Sequence, residues 1–413
     1  MHSSSTKLRL GSSNISIRGF FFGLRNLTKA MIQITMMLAA LSVLLVIAGY
    51  AALAQTETVF HSFGNSGDGM HPGCCSTLDK QGNLYGITNY GGAYGYGTMF
   101  RITPTGAETV LYSFGVADIV PSPAGLISDE HGNLYGTTVG GGTNDQGTVF
   151  KLTSSGTVTV LHNFGSQSGD GTYPGWGLVL DKQGNLYGTT NYGGAYGNGT
   201  AYSLTPSGNE TVLYSFGGAA GDAVVPSGSL IFDKKGNLYG TTGSGGAYGY
   251  GTVFRITPTG DETVLYSFGG PAGDFNPGLN VVLDKQGNLY GTTNNDGAYN
   301  FGTVFKLTPT GVKTVLHSFG QSGDGIFPMC CLTLDKQGNL FGTTYDSTTG
   351  QGHGTVFKLT AIGDETILHS FGIQLGDGTY PVWNLVSDKQ GNVYGTTSQG
   401  GAYGYGTVFR LTP

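Results

Sequence analysis

Beyond residue 56, apolar positions come in short runs of β-branched and aromatic residues cut by turn signals, and no stretch sustains helical periodicity. The segment 273–319 shows the pattern. A first strand is predicted over 279–283, ending in Asp284-Lys285-Gln286-Gly287. There the aspartate side chain starts a type I turn and glycine takes the left-handed position that follows. A second strand is predicted over 288–293, and a glycine-rich loop over 294–302 leads to a third over 303–307. Thr308-Pro309-Thr310-Gly311 is another type I turn, with proline preset at its second position, before a fourth strand over 314–319. Four antiparallel strands in one such unit are the content of a propeller blade.

The unit recurs. Gly-Asn-Leu-Tyr-Gly-Thr, or a near copy, begins at Gly82, Gly132, Gly184, Gly236, Gly287, Gly338 and Gly391, at steps of 50, 52, 52, 51, 51 and 53 residues. A fixed period of this size signals a propeller, solenoid or array. The ends of the repeat region separate these. Residues 57–64 read as a fourth strand with no preceding three, and residues 406–413 as a third strand with no fourth. Seven complete blades result only if the first strand completes the last blade. The predicted fold is therefore all-β, a seven-bladed β-propeller of four-stranded antiparallel blades latched by its N-terminal strand. Such a latch protects an open blade edge, whereas the competing solenoid would want polar caps instead.

Glycine accounts for 75 of 413 residues and charged residues for only 11%, but aromatics at 12% argue against a disordered chain. A net charge of −6, with no basic stripe beyond the first thirty residues, argues against nucleic-acid binding. Residues 1–55 differ from the rest. Lys7, Arg9, Arg18, Arg25 and Lys29 precede an uncharged run over 30–56 that ends in Ala52-Leu53-Ala54, a small-x-small cleavage site. This reads as a secretory signal. Its apolar core is longer than the ~7–15 residues usual for one, so an uncleaved membrane anchor is the alternative. Either way, the domain at 56–413 is expected outside the cytoplasm, secreted or at the cell surface, and as a monomer.

The motifs Asp-Gly-x-x-Pro, Gly-Asn-Leu-Tyr-Gly-Thr-Thr, Gly-Gly-Ala-x-Gly-x-Gly-Thr-Val-Phe and Phe-Gly, across residues 57–413, resemble the GloVer-type extracellular tandem repeats. The resemblance implies a secreted or surface protein. It implies no particular chemistry. Members often end in a sorting anchor, which is not seen before Pro413.

Two tight hairpins per unit share one face, where Asp79, Asp129, Asp181, Asp233, Asp284, Asp335 and Asp388 each begin a turn. The longer loops share the other face, and binding groups concentrate on such loops. Two residue sets stand out there. Asp68, Asp118, Asp170, Asp222, Asp274, Asp324 and Asp377 recur in the inter-blade connections. They read either as a ring of carboxylates at the channel mouth, able to attract cations, or as side chains stiffening their own turns through backbone N–H groups. The second set is the loop tyrosines. Tyr94, Tyr196, Tyr248, Tyr299 and Tyr403 are expected to pack over neighbouring structure. Tyr90, Tyr96, Tyr192, Tyr250 and Tyr405, present in some blades and absent in others, are the ligand candidates, since tyrosine offers a flat face and a polar tip at low entropy cost.

Cys74-Cys75 and Cys330-Cys331 are adjacent pairs at equivalent places in blades one and six. Export makes disulfides plausible. A bridge between pairs would exceed the ~7 Å Cα limit, which leaves strained bonds within each pair or unpaired thiols. Trp176 and Trp383 take the equivalent place in blades three and seven, a position of varied bulk near the channel mouth and a further ligand candidate. His61, His162, His317 and His369 alternate with Tyr112, Tyr214 and Tyr266 in the outer strand, without His-Glu-x-x-His spacing. The expectation is a binding or scaffold module for a glycan, surface polymer or protein, with no cofactor or metal. The alternative is an enzyme at the channel mouth, resembling a polysaccharide lyase or a quinoprotein oxidoreductase.

Overall fold

The Leu-Tyr-Gly-Thr motif forms the second strand of every blade because its glycine leaves room for an aromatic ring. A Cβ on Gly86 would lie 2.4 Å from Phe100 Cζ, and one on Gly240 would lie 2.6 Å from Phe254 Cζ. The ring on the third strand thus packs flat against the second. The computed structural model describes Met37 and residues 56–412, apart from 74–76, 116–124, 227, 271–273, 330 and 349–351. Residues 1–54 and 55–413 are two units, and the fold described is that of the second. The predicted signal lies outside the described residues.

Seven antiparallel sheets follow one another along the chain as the blades of a β-propeller. Blade five is representative: Phe275–Pro277 and Val282–Leu283 form its inner strand, followed by Leu289–Asn295, Thr303–Leu307 and Lys313–Ser318. Blade seven runs Gly378–Ser387, Val393–Gly400 and Thr407–Thr412, and Thr56–Ser62 adds its fourth strand. Thr56 stands opposite Thr412 and Ser62 opposite Thr407. The N-terminal strand closes the ring.

One prediction needs correction. The inner strand does not begin near residue 279, because Phe275-Asn276-Pro277, ahead of it, is itself strand: Phe275 pairs with Asn295 and Pro277 with Thr293. In six blades the inner strand falls into short pieces or keeps only its second piece among the described residues. Among the described residues, blade seven alone has it as one strand, Gly378–Ser387, although Pro381 stands at the same place.

Between blades, the phenylalanine ending each outer strand inserts against the third-strand ring of the next blade. Phe216 meets Phe254 at 5.0 Å, Phe319 meets Phe357 at 5.1 Å, and Phe371 meets Phe409 at 5.0 Å between centroids. Across the closure, Phe63 meets Phe100 at 5.0 Å. The latch is therefore packed like any other blade junction. On the short-hairpin face, Asp79 accepts the N–H groups of Gln81 and Asn83, Asn83 Nδ2 and the Tyr85 hydroxyl. Burial disfavours its charge, but these donors, led by Asn83, hold its carboxyl below the usual range. That face is built from turns.

Candidate functional site

The residue before the inner-strand proline has a left-handed backbone in every blade where it is described: His71, Tyr173, Val225, Asn276, Phe327 and Tyr380, at φ between 51° and 57°. Asparagine tolerates this conformation, but bulky and β-branched residues do so only under strain. The blade before holds the strain in place. His71 N–H donates to Tyr405 O at 2.8 Å, Phe327 N–H to Phe301 O at 2.9 Å, and Tyr380 N–H to His353 O at 3.0 Å. Tyr173 and Val225 bond Gln146 O and Asn198 O in the same way.

These left-handed residues gather the rings of the glycine-rich loops around the inner strands. His71 lies edge-on between Tyr405, at 5.6 Å, and Tyr90, at 5.8 Å. Tyr380 lies 5.1 Å from Tyr345 and 5.6 Å from His353. Phe301 meets Phe327 at 5.5 Å. Elsewhere, Tyr250 meets Phe275 at 4.7 Å and Tyr173 meets Tyr192 at 6.1 Å. Sequence reasoning missed His71, Tyr173, Phe327 and Tyr380. Their signal was the variable residue ahead of a fixed proline.

Tyr90, Tyr96, Tyr192, Tyr250 and Tyr405 all keep more than a third of their surface open to solvent. So do Tyr94, Tyr196, Tyr248, Tyr299 and Tyr403, which lie over the glycines that end each outer strand; a Cβ on Gly218 would meet Tyr196 at 2.7 Å. Blade two offers Asp145 instead, whose carboxylate accepts the Gly141 N–H at 2.9 Å. Trp176 is half-buried, and its carbonyl accepts the Gly125 N–H at 2.7 Å. Trp383 falls within the inner strand of blade seven, but its side chain lies outside what is described. Cys74, Cys75, Cys330 and Asp118 also lie outside the described residues. Cys331 is buried, and its sulfur accepts Asn280 Nδ2–H at 3.1 Å.

The connection aspartates are not an open ring. Asp68, Asp170, Asp222, Asp274, Asp324 and Asp377 are all buried. Each turns into the junction between two blades, toward the histidine or tyrosine of the outer strand just left. His61 Nε2 lies 3.2 Å from Asp68 Oδ2, and His317 Nε2 lies 3.2 Å from Asp324 Oδ2. Tyr214 and Tyr266 instead donate their hydroxyls to Asp222 and Asp274, at 3.0 and 2.7 Å. A third residue arrives from the start of the next blade's outer strand. It is a glutamate in the groups His61–Asp68–Glu108, His162–Asp170–Glu210, His317–Asp324–Glu365 and His369–Asp377–Glu57.

Burial first, and the adjacent aspartate's charge with it, push the carboxyls of Glu108 and Glu210 up to about 7. Burial likewise pushes Glu365 up to about 8, against the pull of His317. Burial also opposes charge on Asp68 and Asp324, but the hydrogen bond to histidine holds both below the usual range. The glutamates escaped sequence reasoning because they come from a different blade from the histidine they face.

The pattern of the Gloeobacter/Verrucomicrobia repeat matches residues 47–201, 168–350 and 225–413. The chain belongs to that family. No curated protein matches this repeat protein. Among solved structures, a streptogramin B lyase superposes with a TM-score of 0.57 at 13% identity, over 87% of this chain and 97% of that one. Virginiamycin B lyase from Staphylococcus aureus gives 0.55 at 13% identity, over 87% and 99%. An extracellular domain assigned to a hybrid two component system of B. thetaiotaomicron gives 0.57 at 12% identity, over 87% of this chain and 41% of that one. At such identities the likeness is one of fold.

Proposed function

We propose that this repeat protein is exported and serves as a binding module, holding a glycan or cell-surface polymer on its long-loop face. The observation that carries the reading is the set of solvent-open aromatic rings gathered there around strained backbone. Exposed rings on one face suit stacking on sugar rings, with backbone groups of the glycine loops within reach of hydroxyls. Strain held by neighbouring structure recurs where a protein fixes a side chain for a ligand. A rigid platform also avoids part of the ordering cost of binding.

The enzyme alternative needs acid, base or cation-binding groups converging at the axis. Among the described residues, the groups of that kind that do converge lie instead between outer strands. A glycan array probed with the purified 56–413 domain tests the proposal. Selective retention on one class of polysaccharide is expected. Uniform background on the array would remove the glycan and leave a purely structural role.

A further inference from the structure

We infer that the His–Asp–Glu clusters between blades are binding sites for a divalent first-row cation of the zinc type, which pins neighbouring blades together. The argument is clearest at the junction of blades two and three. His162 Nε2 stands 3.5 Å from Asp170 Oδ1 and 3.8 Å from a Glu210 carboxylate oxygen, and all three side chains are about nine-tenths buried or more. Ser166 donates its N–H and hydroxyl to Asp170 Oδ2. The remaining atoms, His162 Nε2 and Asp170 Oδ1, make no hydrogen bond although both are shut from solvent, and neither does Glu210 Oε1, on the carboxylate whose Oε2 faces His162. Two buried, unpartnered atoms of ligand type thus face one another, with a buried carboxylate beside them.

The spacing suits an ion. Zinc held at ~2.0–2.2 Å by nitrogen and oxygen in tetrahedral geometry sets its ligand atoms about 3.4 Å apart. The observed separations are within a few tenths of an ångström of that. One imidazole with two carboxylates is also a donor set suited to zinc or manganese rather than to calcium, which takes six or more oxygens.

The propeller carries its own control. At the junction of blades four and five, Lys313 occupies the place of the glutamate, and its Nζ lies 2.5 Å from Asp274 Oδ2 and 3.4 Å from Asp296 Oδ2. There the chain supplies a tethered cation, and the outer-strand residue is Tyr266 rather than histidine. Where the lysine is absent and a second carboxylate takes its place, histidine completes the ligand set in the four groups named. A buried pair of carboxylates calls for a positive charge at its centre. Lysine meets that demand once and a metal ion at the four histidine groups, whereas Glu262 beside Asp222, where Tyr214 replaces histidine, has neither and keeps a proton.

The test uses tag-free protein stripped with chelator and dialysed against micromolar zinc at pH 7.5. Metal content is read by mass spectrometry and unfolding by calorimetry. Retention of up to four zinc ions per chain, one for each cluster, is expected, with melting raised by several degrees. Glu210→Gln, nearly isosteric, should keep the far-UV spectrum and lose about one ion. If that variant fails to fold, Glu365→Gln reads the same loss at another junction. No zinc retained by the wild type, or an unchanged ratio in a folded variant, overturns the inference.

Discussion

Val59 stands opposite Phe409 in the outermost ladder of blade seven, so the first strand of the ring seals a sheet made by the last residues of the chain. Four residues on, Phe63 packs into blade one against Phe100. Deleting residues 56–64 removes both contacts and exposes the Thr407–Thr412 strand as an edge. Loss of the buried phenylalanine alone costs about 3–5 kcal/mol. Soluble yield and melting temperature should both fall steeply. A soluble monomer melting with the intact domain would contradict closure.

Val225 is β-branched at φ 56°, where blade five places Asn276 at φ 51°. Asparagine visits this region readily, valine does not. Val225→Asn should therefore raise stability, by about 0.5–1 kcal/mol, measured by denaturant unfolding. Destabilisation would mean that valine's packing outweighs its strain.

Glu262 carries a pH signature. Its carboxyl is pushed up to about 7, first by burial and then by the charge of Asp222, itself bonded to Tyr214. In the unfolded chain it titrates near 4.3. The folded state thus holds the proton more tightly, and this contribution is full below about pH 4.5 and lost as pH rises through 7. Comparing unfolding free energies at pH 5 and pH 8, the wild type should lose about 1 kcal/mol more than Glu262→Gln, allowing for solvent screening. Equal losses in the two proteins would show that Glu262 is not protonated in the fold.

The blades and their latch were legible in the sequence because they rest on local signals: Asp79 and its copies begin turns with their own neighbours, and Gly86 sits two residues from Leu84 in one strand. The candidate sites were harder to read. His61, Asp68 and Glu108 meet only after three segments of two blades are brought together, and no local pattern encodes that meeting. The left-handed backbone of His71 and Tyr380 runs against the preference of the residue before proline for extended conformations. It exists because Tyr405 O and His353 O of the preceding blade accept their N–H groups. The recurring aspartates left two readings open, an exposed ring or stiffened turns, and the fold favours the second: Asp68 is buried and accepts the N–H groups of Gly64 and Gly69, as Asp324 accepts that of Gly320.

The central claim, that the aromatic rim of the long-loop face is the binding surface, is tested most directly by calorimetric titration of the glycan class picked out on the array. Tyr405→Ala and Tyr90→Ala, flanking His71, should each weaken binding by about fivefold or more, at about 1–3 kcal/mol per lost stacking ring. Ile362→Ala, on the hairpin face and 83% exposed, should change nothing. Equal affinities for all three variants would contradict the claim.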